Sequence, residues 1–235
     1  AGANLTGEGT VEFHSGTVTV NSTYGISGTT IVSGSDLNLN GAIPSNNLGA
    51  VLTISDGNLN LSGKSITAQT LNWSGGSMSG NGTGTTTVTG SLVMSGGVLT
   101  LANRTLEIEA GATGTWTSAG TLTGTGVNPA VKVNGTLTKS GPVAANIQNI
   151  AFDNSGTVNV TGGTLTINLP PMAASSGMYS VASTAGLNLG GTHTFNGRIT
   201  STGNGAVGFT SGTITINGIY DVVGMTTISG SGTVV

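Results

Sequence analysis

Residues Thr6 to Gly34 read TGEGTVEFHSGTVTVNSTYGISGTTIVSG, and residues Thr202 to Gly230 read TGNGAVGFTSGTITINGIYDVVGMTTISG. The two stretches align without a gap at a constant offset of 196, with 15 identities in 29 positions. Phe13 meets Phe209, Asn21 meets Asn217, Tyr24 meets Tyr220 and Gly28 meets Gly224. A match between the two ends of one chain is the mark of a repetitive scaffold.

Working outward, short alternating runs recur: Thr17 to Val20, Leu37 to Asn40, Asn58 to Leu61, Thr157 to Val160, Thr164 to Ile167 and Thr213 to Ile216. Apolar and polar residues alternate in each, as in a strand with one buried face. Ser-Gly, Asp-Gly or Gly-Gly pairs precede most of them and punctuate the chain with turns. No segment keeps a helical apolar period over three turns. The fold class is therefore all-β. A β-sandwich would join the strands by hairpins, with the Asn-Gly pairs as turns. A parallel β-solenoid would wind them into stacked coils.

Internal spacing favours the solenoid. Trp73 to Gly82 reappears as Trp116 to Gly126 at an offset of 43 to 44, and Val88 to Gly96 reappears as Val133 to Gly141 at 45. Asn38-Leu39 and Asn60-Leu61 lie 22 apart. The expectation is about ten coils of roughly 22 residues, each with three short strands, forming a rod near 50 Å long at the strand spacing of about 4.8 Å. Residues 1–235 read as a single solenoid domain. Loops are expected at 41–50, 141–150 and 169–186, where Pro44, Pro142 and Pro170-Pro171 withhold the amide that a ladder needs.

Composition supports the same picture. Of 235 residues 42 are Gly, none is Cys, and only 6% are charged, against about 25% in an ordinary soluble domain. Stacked like charges repel, so a solenoid gains from exposing Thr, Ser and Asn instead. The net charge of −3 disfavours a nucleic-acid partner, which calls for a basic face. No apolar run reaches the roughly 18 residues of a spanning helix, so membrane insertion is not expected. Without cysteine there is neither a disulfide framework nor a thiolate metal site. The opening at Ala1, with no basic and apolar leader, reads as a processed or excised piece.

Two stretches carry a family resemblance: Leu71 to Thr83 (LNWSGGSMSGNGT) and Asn154 to Thr166 (NSGTVNVTGGTLT). They resemble the repeat regions of large bacterial cell-surface proteins, of the autotransporter-passenger and filamentous-haemagglutinin-like adhesin kind. The resemblance implies a right-handed parallel β-helix, an extracellular or bacterial cell-surface location, and a structural or adhesive role. It brings no catalytic residue and no cofactor with it.

Candidate chemistry is thin, and we expect no enzyme. Glu107 and Glu109 sit near Arg104 and form the one close carboxylate pair, of the kind glycosidic chemistry requires; the plainer reading is a solvated charged patch. His14 and His193 fall on strands, and His14 aligns with Thr210, so the scaffold does not require imidazole at that position. Asp36, Asn38 and Asn40 with Asp56, Asn58 and Asn60 place oxygens on alternate positions; they could converge on a calcium ion, but an asparagine ladder that bonds to itself is the expected outcome. Trp73 and Trp116 suggest a sugar-stacking platform, set against ordinary core packing. Tyr24 and Tyr220 invite the same two readings. The pairs Thr17/Thr19, Thr85/Thr87, Thr136/Thr138, Thr164/Thr166 and Thr213/Thr215 raise an ice-binding face, set against the plain strand propensity of threonine.

The functional expectation lies at the ends. Ile228 to Val234 (ISGSGTV) resembles Leu5 to Val11 (LTGEGTV), and neither end shows a capping helix. An uncapped coil exposes unpaired backbone groups that attract a further strand. Leu5, Gly7, Gly9 and Val11 at one end, with Ile228, Gly230, Gly232 and Val234 at the other, are the candidate end-to-end interface. The partner would be a further copy or flanking repeats; a glycan is the alternative.

Overall fold

A computed structural model describes residues 4–169 and 174–235. Pro170 and Pro171, which marked part of an expected loop, lie outside the described residues. The chain forms a right-handed parallel β-helix of about 11 turns at roughly 21 residues per turn. Every strand pairing is parallel, and one short 3-10 turn, Pro44–Asn46, is the only helical piece among the described residues.

Each turn visits three faces in the same order. Face III holds Leu5–Gly7, Tyr24–Ile26, 66–68, 85–88, Thr105–Ile108, Ala130–Val133, Ala151–Asn154, His193–Phe195, Thr213–Ile216 and Thr233–Val234. Single bridges, Asn47 to Thr67 and Ser175 to Phe195, carry it across two turns that lack a full strand there. Face I runs from Thr10–Phe13 through 29–32, 51–54, 70–73, 91–94 and Thr113–Trp116. It continues through Thr136–Lys139, Thr157–Val160, Met178–Val181 and Arg198–Ser201 to Ile219–Asp221. Face II runs from Thr17–Val20 to Thr226–Ile228. The longer strands, Thr29–Leu39 and Val51–Asn60, bend from face I to face II through a bulge, where the register shifts on either side of Ser33 before pairing resumes at Asp36 and Asn58.

All six alternating runs of the sequence fall on strands, with only Asn40 and Leu61 one residue past a strand end. Their apolar members stack coil on coil inside the tube. On face I one inward column reads Phe13, Val32, Ile54, Trp73, Met94, Trp116, Lys139, Val160, Val181, Ser201. Trp73 and Trp116 thus stand two turns apart with Met94 between them, and both are fully buried. Fully burying one such apolar side chain stabilises by about 1.5–3 kcal/mol, and the column repeats that gain at Val32, Ile54, Met94, Val160 and Val181.

The column also takes in a cation. Lys139 is buried between Trp116 and Val160. Its stem fills a core position while Nζ donates to the carbonyls of Ser140 at 2.6 Å and Gly141 at 3.2 Å. Burial pushes its pKa below the ordinary lysine value. Thr30 enters a neighbouring column in the same manner, donating to the Leu48 carbonyl and accepting from the Tyr24 hydroxyl at 2.7 Å.

The expected loops are too wide. Ala145–Gln148 is a strand of face II inside 141–150, and Met178–Val181 is a strand of face I inside 169–186. Within 41–50, Leu48 is fully buried. Pro44 and Pro142 force only a local departure from the ladder, and the chain rejoins it within a few residues, at Asn47 and Ala145.

The corners explain much of the glycine content. A Cβ at Gly96 would overlap the backbone carbonyl of Ser74 in the coil beneath, whereas one at Gly97 would meet open space. The two adjacent glycines should therefore respond oppositely. Gly96→Ala is expected to cost about 1–3 kcal/mol through overpacking, and Gly97→Ala to be neutral or stabilising by up to about 1 kcal/mol through a less flexible unfolded chain. Paired urea melts read the difference, and equal costs would refute the close-approach account.

Candidate functional site

The outward positions form polar ladders that bond along the rod. Asn60 Nδ2 donates to Asn38 Oδ1 at 3.0 Å and Asn40 Nδ2 to Asn21 Oδ1 at 3.0 Å. Ser77 and Ser79 donate to Asn58 Oδ1 at 2.8 and 2.9 Å, and Ser62 donates to Asn40 Oδ1 at 2.8 Å. Asp36 stands beside Asn58 in the register, while Asp56 accepts from the Gly57 amide at 2.8 Å within its own turn. The amide oxygens of Asn38, Asn40, Asn58 and Asn60 and one carboxylate oxygen of Asp56 are thus engaged by neighbouring side chains and backbone, as an asparagine ladder requires.

The grouping of Glu107, Glu109 and Arg104 is not assembled. Arg104 turns inward and is buried, with Nε donating to Thr86 Oγ1 at 2.7 Å and Nη2 to the Thr85 carbonyl at 2.9 Å. Burial lowers its pKa to about 10, so it stays a cation at neutral pH. Glu107 points outward and accepts from Asn134 Nδ2 at 2.7 Å; Glu109 lies exposed beyond the end of the strand. Along face III, Glu107, Lys132 and Asp153 are successive register partners, an outward column of alternating charge.

Trp73 and Trp116 face the core, so neither offers a ring to a sugar. A shallow depression lined by Gly25, Ile26, Ser27, Pro44, Ser45 and Asn47 lies beside the Pro44 turn. The five threonine pairs are dealt to all three faces. Thr17/Thr19 and Thr164/Thr166 lie on face II, Thr85/Thr87 and Thr213/Thr215 on face III, and Thr136/Thr138 on face I. They do not make one array, because equal strand pattern does not mean equal phase around the tube.

His14 is exposed beside Glu12, with Nδ1 at 3.7 Å from its carboxylate. His193 is buried in a polar cluster that sequence reasoning missed. Ser175 Oγ stands 3.1 Å from His193 Nε2 and 3.2 Å from the Tyr179 hydroxyl, and it accepts from the Asn154 amide at 3.3 Å. Asn154 Nδ2 donates to the Met178 carbonyl at 3.0 Å. All four side chains are sealed from solvent. Burial lowers the His193 pKa to about 4 and pushes that of Tyr179 up. Only the strand parity of His193–Phe195 signalled an inward histidine.

The structure gathers the candidate interface residues into two groups at opposite ends of the rod. Leu5 and Gly7 lie on the first strand of face III, Gly9 in the following turn, and Val11 points inward on the first strand of face I. Ile228 ends face II and Val234 ends face III, with Gly230 and Gly232 in the turn between them. The last coil is apolar and uncovered: Ile219, Val223, Met225, Ile228 and Val235 are all more than half exposed. Ile228 extends the inward column of Leu189 and Phe209. Phe209 is 1% exposed, whereas Ile228 is 57% exposed.

The 196-residue match has a phase that the sequence hides. Thr10–Phe13 lies on face I, but its counterpart Ala206–Phe209 lies on face II, nine turns and one further face along. Likewise Thr17–Val20 on face II matches Thr213–Ile216 on face III, and Tyr24 on face III matches Tyr220 on face I.

This geometry defines a right-handed parallel β-solenoid with laddered polar faces and an open apolar last coil. Comparison with protein-family models, with curated proteins and with solved structures finds no match to the chain.

Proposed function

We propose that the protein is a structural, extracellular β-helical rod, a subunit or segment of a bacterial surface filament, stalk or adhesin, extended end to end through its terminal coils. The observation that carries this reading is the uncovered inward column at Ile228, whose equivalent one turn earlier is sealed. A further coil added by parallel pairing would cover it and satisfy the edge amides and carbonyls. Backbone ladders, stacked apolar columns and bonded asparagine ranks suit a stiff, protease-resistant spacer. The surface location rests on the resemblance of Leu71 to Thr83 and Asn154 to Thr166 to adhesin repeats, together with the low charge and absence of cysteine.

Electron microscopy and light scattering of the purified chain at rising concentration test the reading. Filaments with an axial repeat near one rod length, about 50 Å, are expected. Monomers at every concentration would overturn the end-to-end extension.

A further inference from the structure

We propose that a second copy of this chain docks on the last coil turned by one face, so that its face III continues face I of the first copy. The inference rests on the end-to-end reading and adds the register.

Strand order gives the first argument. The last strand, Thr233–Val234, lies on face III, and the position that follows in the spiral is face I, over Ile219–Asp221. The first described strand of a second copy, Leu5–Gly7, belongs to its own face III. Turning that copy by one face seats Leu5–Gly7 over Ile219–Asp221, Thr10–Phe13 over Thr226–Ile228 and Thr17–Val20 over Thr233–Val234. No rank is skipped and none is displaced. Turning by two faces seats Leu5–Gly7 over Thr226–Ile228 and Thr10–Phe13 over Thr233–Val234, and leaves face I one strand short above Ile219–Asp221. Docking without a turn leaves faces I and II one strand short, unless Thr233–Val234 is displaced.

Charge gives the second. Glu12 pairs in register with Ile31, and Asp221 pairs with Thr200, within one and the same outward column of face I. Unturned docking with Thr233–Val234 displaced would stack the second copy's Glu12 directly on Asp221, a like-charge contact at one strand spacing. In the turned arrangement, parity keeps Phe13 inward over Ile228 and brings Glu12 beside the uncharged Thr227, because a slip of one residue would reverse every side chain.

The internal match gives the third. Thr10–Phe13 resembles the face II strand Ala206–Phe209, Thr17–Val20 resembles the face III strand Thr213–Ile216, and Tyr24 matches Tyr220 of face I. Each strand of the turned second copy therefore lies on the face where its counterpart already packs in the first. Phe209, Ile228 and the incoming Phe13 would form one inward column.

The chain contains no cysteine, so introduced pairs report the register cleanly. Thr227, Glu12 and Asp221 are exposed, and substitution there leaves the core untouched. Neighbouring strands lie about 4.8 Å apart, within the Cα separation that a disulfide accepts. The double variant Glu12→Cys/Thr227→Cys, mildly oxidised above the concentration at which light scattering detects oligomers, should give a ladder of disulfide-linked multimers. Glu12→Cys/Asp221→Cys removes both like charges and gives unturned docking its best chance, yet it should link at least roughly tenfold more slowly, since its thiols are not held together. Preferential linking of the second pair, or oligomers that link through neither, would overturn the register while leaving end-to-end association standing. Absence of oligomers at any concentration would remove that association, and the register with it.

Discussion

Trp73→Ala is expected to lower stability by about 3–5 kcal/mol, as large-to-small aromatic replacements in a packed core do. Trp73 stands between Ile54 and Met94 in the inward column of face I, with no exposed surface. Each turn of a solenoid contacts only its neighbours, so the cavity cannot be relieved by remote repacking. Trp116 occupies the same column two turns on and should cost as much when cut to alanine. Phenylalanine at the two positions separates them. Trp73 Nε1 donates to the Gly75 carbonyl at 2.9 Å, while Trp116 Nε1 is buried without a partner. An unsatisfied buried donor costs about 1–3 kcal/mol. Trp73→Phe gives up a made hydrogen bond, whereas Trp116→Phe removes an orphaned one. Trp116→Phe should therefore be the milder change by about 1–2 kcal/mol. Urea melts of both variants, with hydrogen exchange to localise the loss, read the contrast. Equal costs would mean that the indole nitrogen of Trp116 finds a partner in solution.

The same column shows what a single sequence can reveal about such a fold. Strands were legible because each turn needs an inward and an outward residue type, and Thr17 to Val20 or Thr213 to Ile216 could satisfy that in only one way. The solenoid was legible because Trp73 and Trp116 repeat at twice the coil length. The coil length itself came out slightly long, at roughly 22 residues against roughly 21. Corner loops vary, so paired strands are separated by as few as 19 residues, at Leu5 and Tyr24, and by as many as 25, at Thr105 and Ala130. Phase was not legible at all. Three faces built from the same alternating pattern look alike in sequence, so neither the one-face rotation of the 196-residue match nor the scattering of the threonine pairs could be read. Buried cations were hidden for a related reason. Lys139 and Arg104 carry surface-type side chains, and only register shows that Lys139 follows Trp116 in the core column. The carboxylates near Arg104 suggested a charged group, but the guanidinium turned instead toward backbone oxygen and the Thr86 hydroxyl.

Lowering the pH from 7 to 4 should cost the protein roughly 3 kcal/mol through His193 alone, at 1.36 kcal/mol per unit of pKa displacement. In the folded chain burial holds the His193 pKa at about 4, against 6.5 for a free histidine. The neutral ring lies beside Phe195, with ring centres 4.3 Å apart, and meets the Ser175 hydroxyl at 3.1 Å. The groups around Ser175 add no cation: Tyr179 is held neutral, with its pKa raised by burial and by Asp153 nearby. Between pH 6.5 and 4 the unfolded chain binds a proton that the folded chain refuses. Stability is then fully present above the unfolded value and falls as the pH drops through this window. His193→Gln keeps an amide within reach of Ser175 but cannot titrate, so its stability should fall less over the same range, by roughly the histidine share. Chemical denaturation of both proteins at pH 7 and pH 4 measures the difference. Parallel losses would show that His193 takes up its proton inside the folded coil, and that the cluster around Ser175 opens to admit water well before the solenoid unwinds.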